Sequence, residues 1–233
     1  MELAHDGPMA IPLWIGGRAY LTVGDSFFDV INPATGRALR RVPMCSAEET
    51  AKAVAAARDA QAGWQAANGE TRRAALSALA DALERYAGHF ARLLTEDLGL
   101  DETRAQAEVG EAVHALRSPS PGESGVCALV VDATRPLAGL AAAAAGPLLA
   151  GATLVVKPSP QAPSAAYALC ELAQRGDWPA GVLNLVHGDG PAISGLCAAG
   201  VDRLIYAGAP ALGAQVGLLA EAAGVPFELR LAD

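Results

Sequence analysis

Short apolar runs alternate with longer amphipathic stretches along this chain, and the alternation changes character near its middle. Residues 11–43 carry brief apolar segments broken by turn signals. "PLWIGGRAYL" contains a Gly-Gly pair, and "FFDVINPATGRALRRV" contains Asn32-Pro33 and Thr35-Gly36. This spacing predicts short strands joined by tight turns. Ser46 then precedes "AEETAKAVAAARDAQAGW", with Glu49 three residues on, the pattern of a capping box at a helix start. Val54 and Ala57 fall on one face of that helix. From Thr71 to Leu98, Leu76, Leu79, Leu83, Phe90, Leu93 and Leu94 recur at helical spacing. Arg72, Arg73, Asp81 and Glu84 supply solvent positions, so one long amphipathic helix is expected there. Asp101 caps a further helix that runs to about Leu116.

The rhythm breaks at "SPSPGESG", residues 118–125, whose prolines, glycines and serines read as a linker. Beyond it, apolar runs at 126–131, 153–156, 182–186 and 203–206 alternate with Ala-rich helical stretches. A β-α-β-α succession of this kind predicts a parallel sheet with helices on both faces. The expected fold class is α/β. An N-terminal strand-and-helix segment (1–117) and the linker (118–125) lead into a Rossmann-like parallel sheet (126–233). Leu137 to Val156 carries no charge and is long enough for a membrane span. It is mostly Ala and Gly, however, and Pro147 with Gly151 interrupts it, which predicts a buried helix followed by a buried strand.

Composition narrows the function classes. Among 233 residues, 52% are apolar and 18% charged, a globular balance. The formal net charge of −8, without a long basic run, argues against nucleic acid and against anionic membrane surfaces as partners. Cys45, Cys127, Cys170 and Cys197 are widely spaced and His5, His89, His114 and His187 are scattered, so neither a zinc site nor a disulfide framework is expected. Free thiols fit a reducing cytoplasm. Cys127 and Cys170 sit in apolar runs and read as packing residues, and Trp14, Trp64 and Trp178 as local core anchors. "MELAHDGPMAIPLW" has no basic region followed by an apolar one, so no signal peptide is expected.

Lys157 ends the apolar run "GATLVVK", at the strand edge where open α/β sheets bind ligands. It either caps that edge in solvent or holds a ligand. Gly188-Asp189-Gly190-Pro191 and Gly208-Ala209-Pro210 stand where strands pass into helices. Their glycines either serve the turns alone or admit a phosphate to a helix N-terminus.

Taken in order, "WIGG", "INPATGRALRRVP", "AGW", "GVCALVV", "GPLLAGATLVVKPS", "PAGVLNLVHGDG", "VDRLIYAGA" and "FELRL" resemble the aldehyde dehydrogenase superfamily, from about residue 11 to 231. The resemblance covers the family's N-terminal, cofactor-binding half. It implies NAD or NADP as cofactor, with Lys157, Ser159, Gly190, Gly208, Ala209 and Leu212 at the cofactor positions. In that pattern an acidic residue also touches the adenosine ribose, and here it is Pro160. A serine under the pyrophosphate is Ala209 here, which keeps its amide and lacks the hydroxyl. The family's Pro-Trp-Asn-Phe-Pro segment corresponds to Asp132-Ala133-Thr134-Arg135-Pro136. Thr134 thus replaces the oxyanion-stabilising asparagine, and Asp132 brings a negative charge close to it. Glu228 matches the general base, but the two glycines that follow it in the family are Arg230 and Leu231. Arg230 is the expected partner of a vestigial Glu228. The nucleophilic cysteine of the family belongs to a following catalytic domain, which is expected to be missing, and none of the four cysteines takes its place.

These departures point to a non-catalytic, truncated aldehyde dehydrogenase-like protein, similar to the shortened second module of class 16 aldehyde dehydrogenases. Cofactor binding is expected to be weak or lost, and the expected partner is a full-length aldehyde dehydrogenase in the cytoplasm. One alternative is an NAD(P)-dependent subunit that borrows a catalytic cysteine in trans. Another is a weak nucleotide-binding sensor.

Overall fold

A computed structural model of the chain describes residues 8–22 and 26–231. Met1 to Gly7, including His5, therefore lie outside the described residues, as does Asp233.

The N-terminal strands are β1 (Met9–Ala10), β2 (Leu13–Ile15), β3 (Arg18–Tyr20), β4 (Phe27–Ile31) and β5 (Ala38–Pro43). Gly16 and Gly17 both take positive φ, +61° and +77°, the two-residue turn that matches the twist of a β-hairpin. In the β4–β5 turn, Asn32 Oδ1 accepts from the amides of Ala34 and Thr35. Four helices follow: α1 (Ala47–Ala66), α2 (Gly69–Arg85), α3 (Ala87–Leu98) and α4 (Glu102–Arg117). Ser46 and Glu49 form the reciprocal capping box on α1, and Asp101 caps α4 through the Arg104 amide.

The single helix expected from Thr71 to Leu98 is instead two helices, α2 and α3. They break at Tyr86, whose backbone sits at φ −100°, ψ 18°. All six apolar positions are buried as expected; α2 and α3 both pack on α4 and α6, but α2 packs on α5 as well. The added packing of α2 on α5 gives the two helices different surroundings, and no proline announces the change. Arg72 also departs from its expected solvent position. Its Nε donates to the Leu149 carbonyl at 2.7 Å, tying α2 to α5.

The second half runs β6 (Val126–Val131), α5 (Ala138–Ala150), β7 (Thr153–Lys157), α6 (Ser164–Arg175) and β8 (Leu183–Leu185). It continues through α7 (Gly190–Ala198), β9 (Arg203–Gly208), α8 (Pro210–Ala222) and β10 (Phe227–Leu231). The uncharged stretch from Leu137 to Val156 is a buried helix and a buried strand. No helix among the described residues is long and apolar enough to cross a membrane.

The strands form a sheet in the order β10-β9-β6-β7-β8-β2-β3, parallel from β10 to β8. The hairpin β2–β3 adds to β8 antiparallel through Trp14 and Leu185. The remaining strands form the small sheet β1-β5-β4. Alternate residues of the central strands enter opposite cores. Cys127, Leu129 and Val131 pack with residues of α2, α4, α5 and α6, whereas Val126, Ala128 and Val130 pack with residues of α1, α7 and α8.

Residues 118–125 run against α5. A Cβ on Gly146 would meet the Ser120 carbonyl at 2.2 Å, and one on Gly122 would meet the Gly146 backbone at 2.3 Å. The tryptophans are buried, and their contacts are long-range rather than local. Trp64 stacks on Trp178 at 5.4 Å between ring centroids and donates to the Leu148 carbonyl, while Trp14 meets Tyr167 edge-on.

Candidate functional site

Parallel pairing brings the carboxyl ends of β6, β7, β8, β9 and β10 to one edge of the sheet. Register partners Lys157 and Tyr206 both face Val130 of β6, and Leu231 is level with Gly208. The residues singled out in the sequence gather there in two groups, one on each side of β6.

The first group lies between β6, β9, β10 and α5. Asp132 follows β6 directly and is 8% exposed. Its Oδ2 accepts from the Ala209 amide at 2.7 Å, from the Tyr206 hydroxyl at 2.9 Å and from Thr134 Oγ1 at 3.1 Å. Its Oδ1 accepts from the Thr134 amide at 2.8 Å. The carboxylate thus stands at the N-terminus of α8, where the helix dipole favours negative charge. Gly208 has φ +154°, and a Cβ there would meet the Asp132 carboxyl group at 2.2 Å. Close approach of Asp132 is therefore reason enough for a glycine at 208. Burial, and then donation to Asp132, push the Tyr206 hydroxyl above its ordinary range. Leu212, one turn into α8, is 44% exposed.

Glu228 lies on β10, half-buried. Its Oε1 accepts from Arg230 Nε at 2.7 Å, and its Oε2 is 3.7 Å from Arg203. Arg230 continues to α5, where Nη1 donates to the carbonyls of Ala142 and Ala143 at 3.2 and 3.3 Å. The reason is local: Pro147 has no N–H, so the Ala143 carbonyl has no partner four residues on. Arg230 supplies the missing donor. Between these groups lies a cavity of about 400 Å³ whose lining includes Arg135, Gly139, Ala143, Gly208, Glu228 and Arg230. Arg135 pairs with Glu108 and Glu111 of α4.

The second group lies at the ends of β7 and β8. Lys157 is 5% exposed, so its stem is not the solvated cap allowed by one sequence reading. Burial lowers its ammonium to about 8, with Asp189 acting in the opposite direction. Ser159 Oγ accepts from the Gln161 amide. Gly190 opens α7, and no heavy atom lies within 4 Å of a Cβ placed there. His187, which no sequence pattern marked, is enclosed between them. Its Nε2 donates to the Pro12 carbonyl at 3.1 Å, and its Nδ1 has no hydrogen bond among the described residues. Burial lowers its pKa to about 3. The His187 amide donates to Cys45 Sγ.

All four cysteines are free and buried. Burial pushes the Cys45 thiol up to about 12 and Cys127 to about 11, and raises Cys170 and Cys197 as well. None is a ready thiolate.

The sheet order, with ligand-type turns after β8 and β9, defines an α/β dinucleotide-fold half carrying an N-terminal strand-and-helix arm. The chain matches the Aldehyde dehydrogenase family over residues 21–120 and 123–231, and it belongs to that family. It is 32% identical to 3-succinoylsemialdehyde-pyridine dehydrogenase of a Pseudomonas species, across 94% of this chain and 50% of that protein. It is 29% identical to lactaldehyde dehydrogenase of Escherichia coli K12, across 80% and 44%. Among solved structures, the C291A mutant of aldehyde dehydrogenase C from Pseudomonas syringae, complexed with NAD+ and octanal, superposes with a TM-score of 0.87. The identity is 28%, and the match covers 95% of this chain and 50% of that one. The E. coli lactaldehyde dehydrogenase structure gives the same TM-score at 26% identity, covering 97% and 53%. The chain spans about half the length of the relatives it matches.

Proposed function

We propose that this chain is a non-catalytic member of the aldehyde dehydrogenase family that supports or assembles with a full-length aldehyde dehydrogenase, and that its cofactor binding is weak or lost. The observation that carries this reading is the bond from the Ala209 amide to Asp132. By family resemblance that amide belongs to the pyrophosphate of NAD or NADP. Here an internal carboxylate takes the donor and the favourable end of the α8 dipole, and it would face the pyrophosphate with like charge. The residues at this end do not fit the dinucleotide. The same carboxylate occupies both hydrogen-bonding groups of Thr134, the counterpart of the oxyanion donor. Glu228, the counterpart of the general base, is held by Arg230.

For assembly, the support is exposed apolar surface. Phe27, Phe28 and Ile31 on β4 and Leu39 on β5 are exposed, as are Phe227, Leu229 and Leu231 on β10. The direct test is calorimetric titration with NAD and NADP, beside an assay of NAD(P)H formation on a panel of aldehydes. No saturation at micromolar cofactor and no turnover are expected. Micromolar binding without turnover would favour the nucleotide-sensor reading. Turnover that appears only with a partner chain and is abolished by Glu228→Gln would favour the subunit that borrows its cysteine.

A further inference from the structure

The α2–α3 corner leaves a cavity that belongs to neither group of the candidate site. Both helices pack on α6, and where their axis turns at Tyr86 a gap of about 350 Å³ remains over α6. Tyr86, His89 and Phe90 line one wall, and Ala168, Glu171, Leu172 and Arg175 line the other. Each set repeats at three- and four-residue intervals, so each is one face of a helical turn. α6 follows β7 and runs back to the start of the parallel strand β8. Its last turns, with Glu171, Leu172 and Arg175, therefore lie away from the sheet edge that carries Asp132 and Lys157.

The cavity floor is apolar, with Phe90 2% exposed and Leu172 9%. Tyr86 is 46% exposed, and its hydroxyl makes no hydrogen bond among the described residues. His89 meets Phe90 edge-on at 5.9 Å between ring centroids, so three rings border the gap. Arg92 donates to His89 Nδ1 at 3.2 Å, which leaves the ring proton on Nε2. Arg175 Nη2 donates to Glu171 Oε1 at 2.5 Å, and Glu171 Oε2 has no partner among the described residues. The two charges of α6 in the lining thus cancel. An anionic ligand would meet Glu171 and a cationic one Arg175, each after losing water, so charge counts against both. Flat rings match Tyr86, Phe90 and the guanidinium plane of Arg175. A dry cavity of roughly 150 Å³ holds one benzene, so about twice that volume suits two fused rings.

We propose that this cavity is a binding site for an uncharged, planar aromatic molecule of two fused rings that carries one N–H or O–H donor. The donor bonds to Glu171 Oε2, and the rings lie over Phe90 and Leu172 with Tyr86 closing on them. Ala168 keeps the gap open, because a longer side chain there would fill it. No aldehyde or dinucleotide takes part, and no covalent step occurs. The proposal is independent of the non-catalytic reading, since a titration with NAD addresses the other end of the sheet.

The probe is 5-fluoroindole, observed by fluorine NMR as the chain is titrated in. A saturable shift is expected, with a dissociation constant on the order of 0.1–1 mM for a ligand of this size. Two analogues test the recognition: 5-fluoro-1-methylindole lacks the N–H, and 5-fluoroindole-2-carboxylate adds a charge. Each should bind at least about tenfold more weakly. Glu171→Met keeps the stem and removes the acceptor, and it should lower the affinity for 5-fluoroindole to that for its methylated analogue. Ala168→Leu fills the cavity and should abolish the shift while leaving the far-UV circular dichroism unchanged. Should Ala168→Leu not fold, Glu171→Met, at a half-buried surface position, carries the test. Absence of a saturable shift up to several times the expected constant overturns the proposal. So does a shift that survives in folded Ala168→Leu, or a methylated or carboxylated analogue that binds as tightly as 5-fluoroindole.

Discussion

Asp132 accepts from Ala209, Tyr206 and both donors of Thr134, and so joins the ends of β6 and β9 to the start of α8. Asp132→Ala would leave the fully buried Tyr206 hydroxyl and the Ala209 amide without an acceptor. A loss of about 2–4 kcal/mol in urea unfolding is expected. Tyr206→Phe removes one donor without orphaning the carboxylate and should lose only about 1 kcal/mol.

His187 gives a pH signature at the same scale. Its folded pKa, about 3, lies below the unfolded value. The unfolded chain therefore binds the proton first as pH falls. The contribution of His187 to stability is complete above about pH 6.5 and shrinks as the pH drops toward 3. Between pH 7 and 5 this amounts to about 2 kcal/mol. His187→Gln should flatten the stability profile in that window, and urea midpoints at the two pH values measure it.

At the scale of elements, α5 illustrates how packing reverses a local rule. Glycine inside a helix is ordinarily destabilising, so glycine-to-alanine changes stabilise by up to about 1 kcal/mol. Gly110, exposed on α4 with open space around its Cβ position, should follow that rule. Gly146 on α5 should do the opposite. Its Cβ would lie 2.2 Å from the Ser120 carbonyl, and Gly146→Ala should destabilise by about 1–3 kcal/mol. Thermal unfolding of the two variants side by side tests the contrast. The α2–α3 break belongs to this scale too. The apolar spacing from Leu76 to Leu94 is helical throughout, so the sequence carries the two helices as one. Only tertiary packing, with α5 added on the α2 side to the neighbours α4 and α6 that both helices share, decides that the axis turns at Tyr86.

For the whole molecule, the sheet and the larger core both span residues on either side of 118–125. β2 pairs with β8, and Trp64 stacks on Trp178. Tryptophan fluorescence and far-UV circular dichroism should therefore report one coincident unfolding transition. The exposed apolar residues of β4, β5 and β10 are the surface on which the proposed assembly rests. Light scattering of the chain co-expressed with a full-length aldehyde dehydrogenase from the same genome should give a heteromeric mass. A chain that remains a stable monomer beside that enzyme at tens of micromolar would count against assembly. A charge at Leu229 should weaken the complex if β10 is in the interface and leave it intact if β4 and β5 form it.

Local chemistry was legible wherever a residue acts on its near neighbours in sequence. The Ser46–Glu49 box, the Asp101 cap, the Gly16-Gly17 turn and the buried runs of β6, β7 and β9 all follow from short-range spacing and burial period. The Glu228–Arg230 pair, two residues apart, was legible for the same reason. The contacts that shape the candidate site are not local. Asp132 reaches Ala209 across 77 positions, Arg230 reaches Ala143 across 87, and His187 reaches Pro12 across 175. A parallel sheet separates adjacent strands by whole helices along the chain. Which side chains share its ligand edge is therefore set by strand order and register, and those emerge only when the two cores close on the sheet.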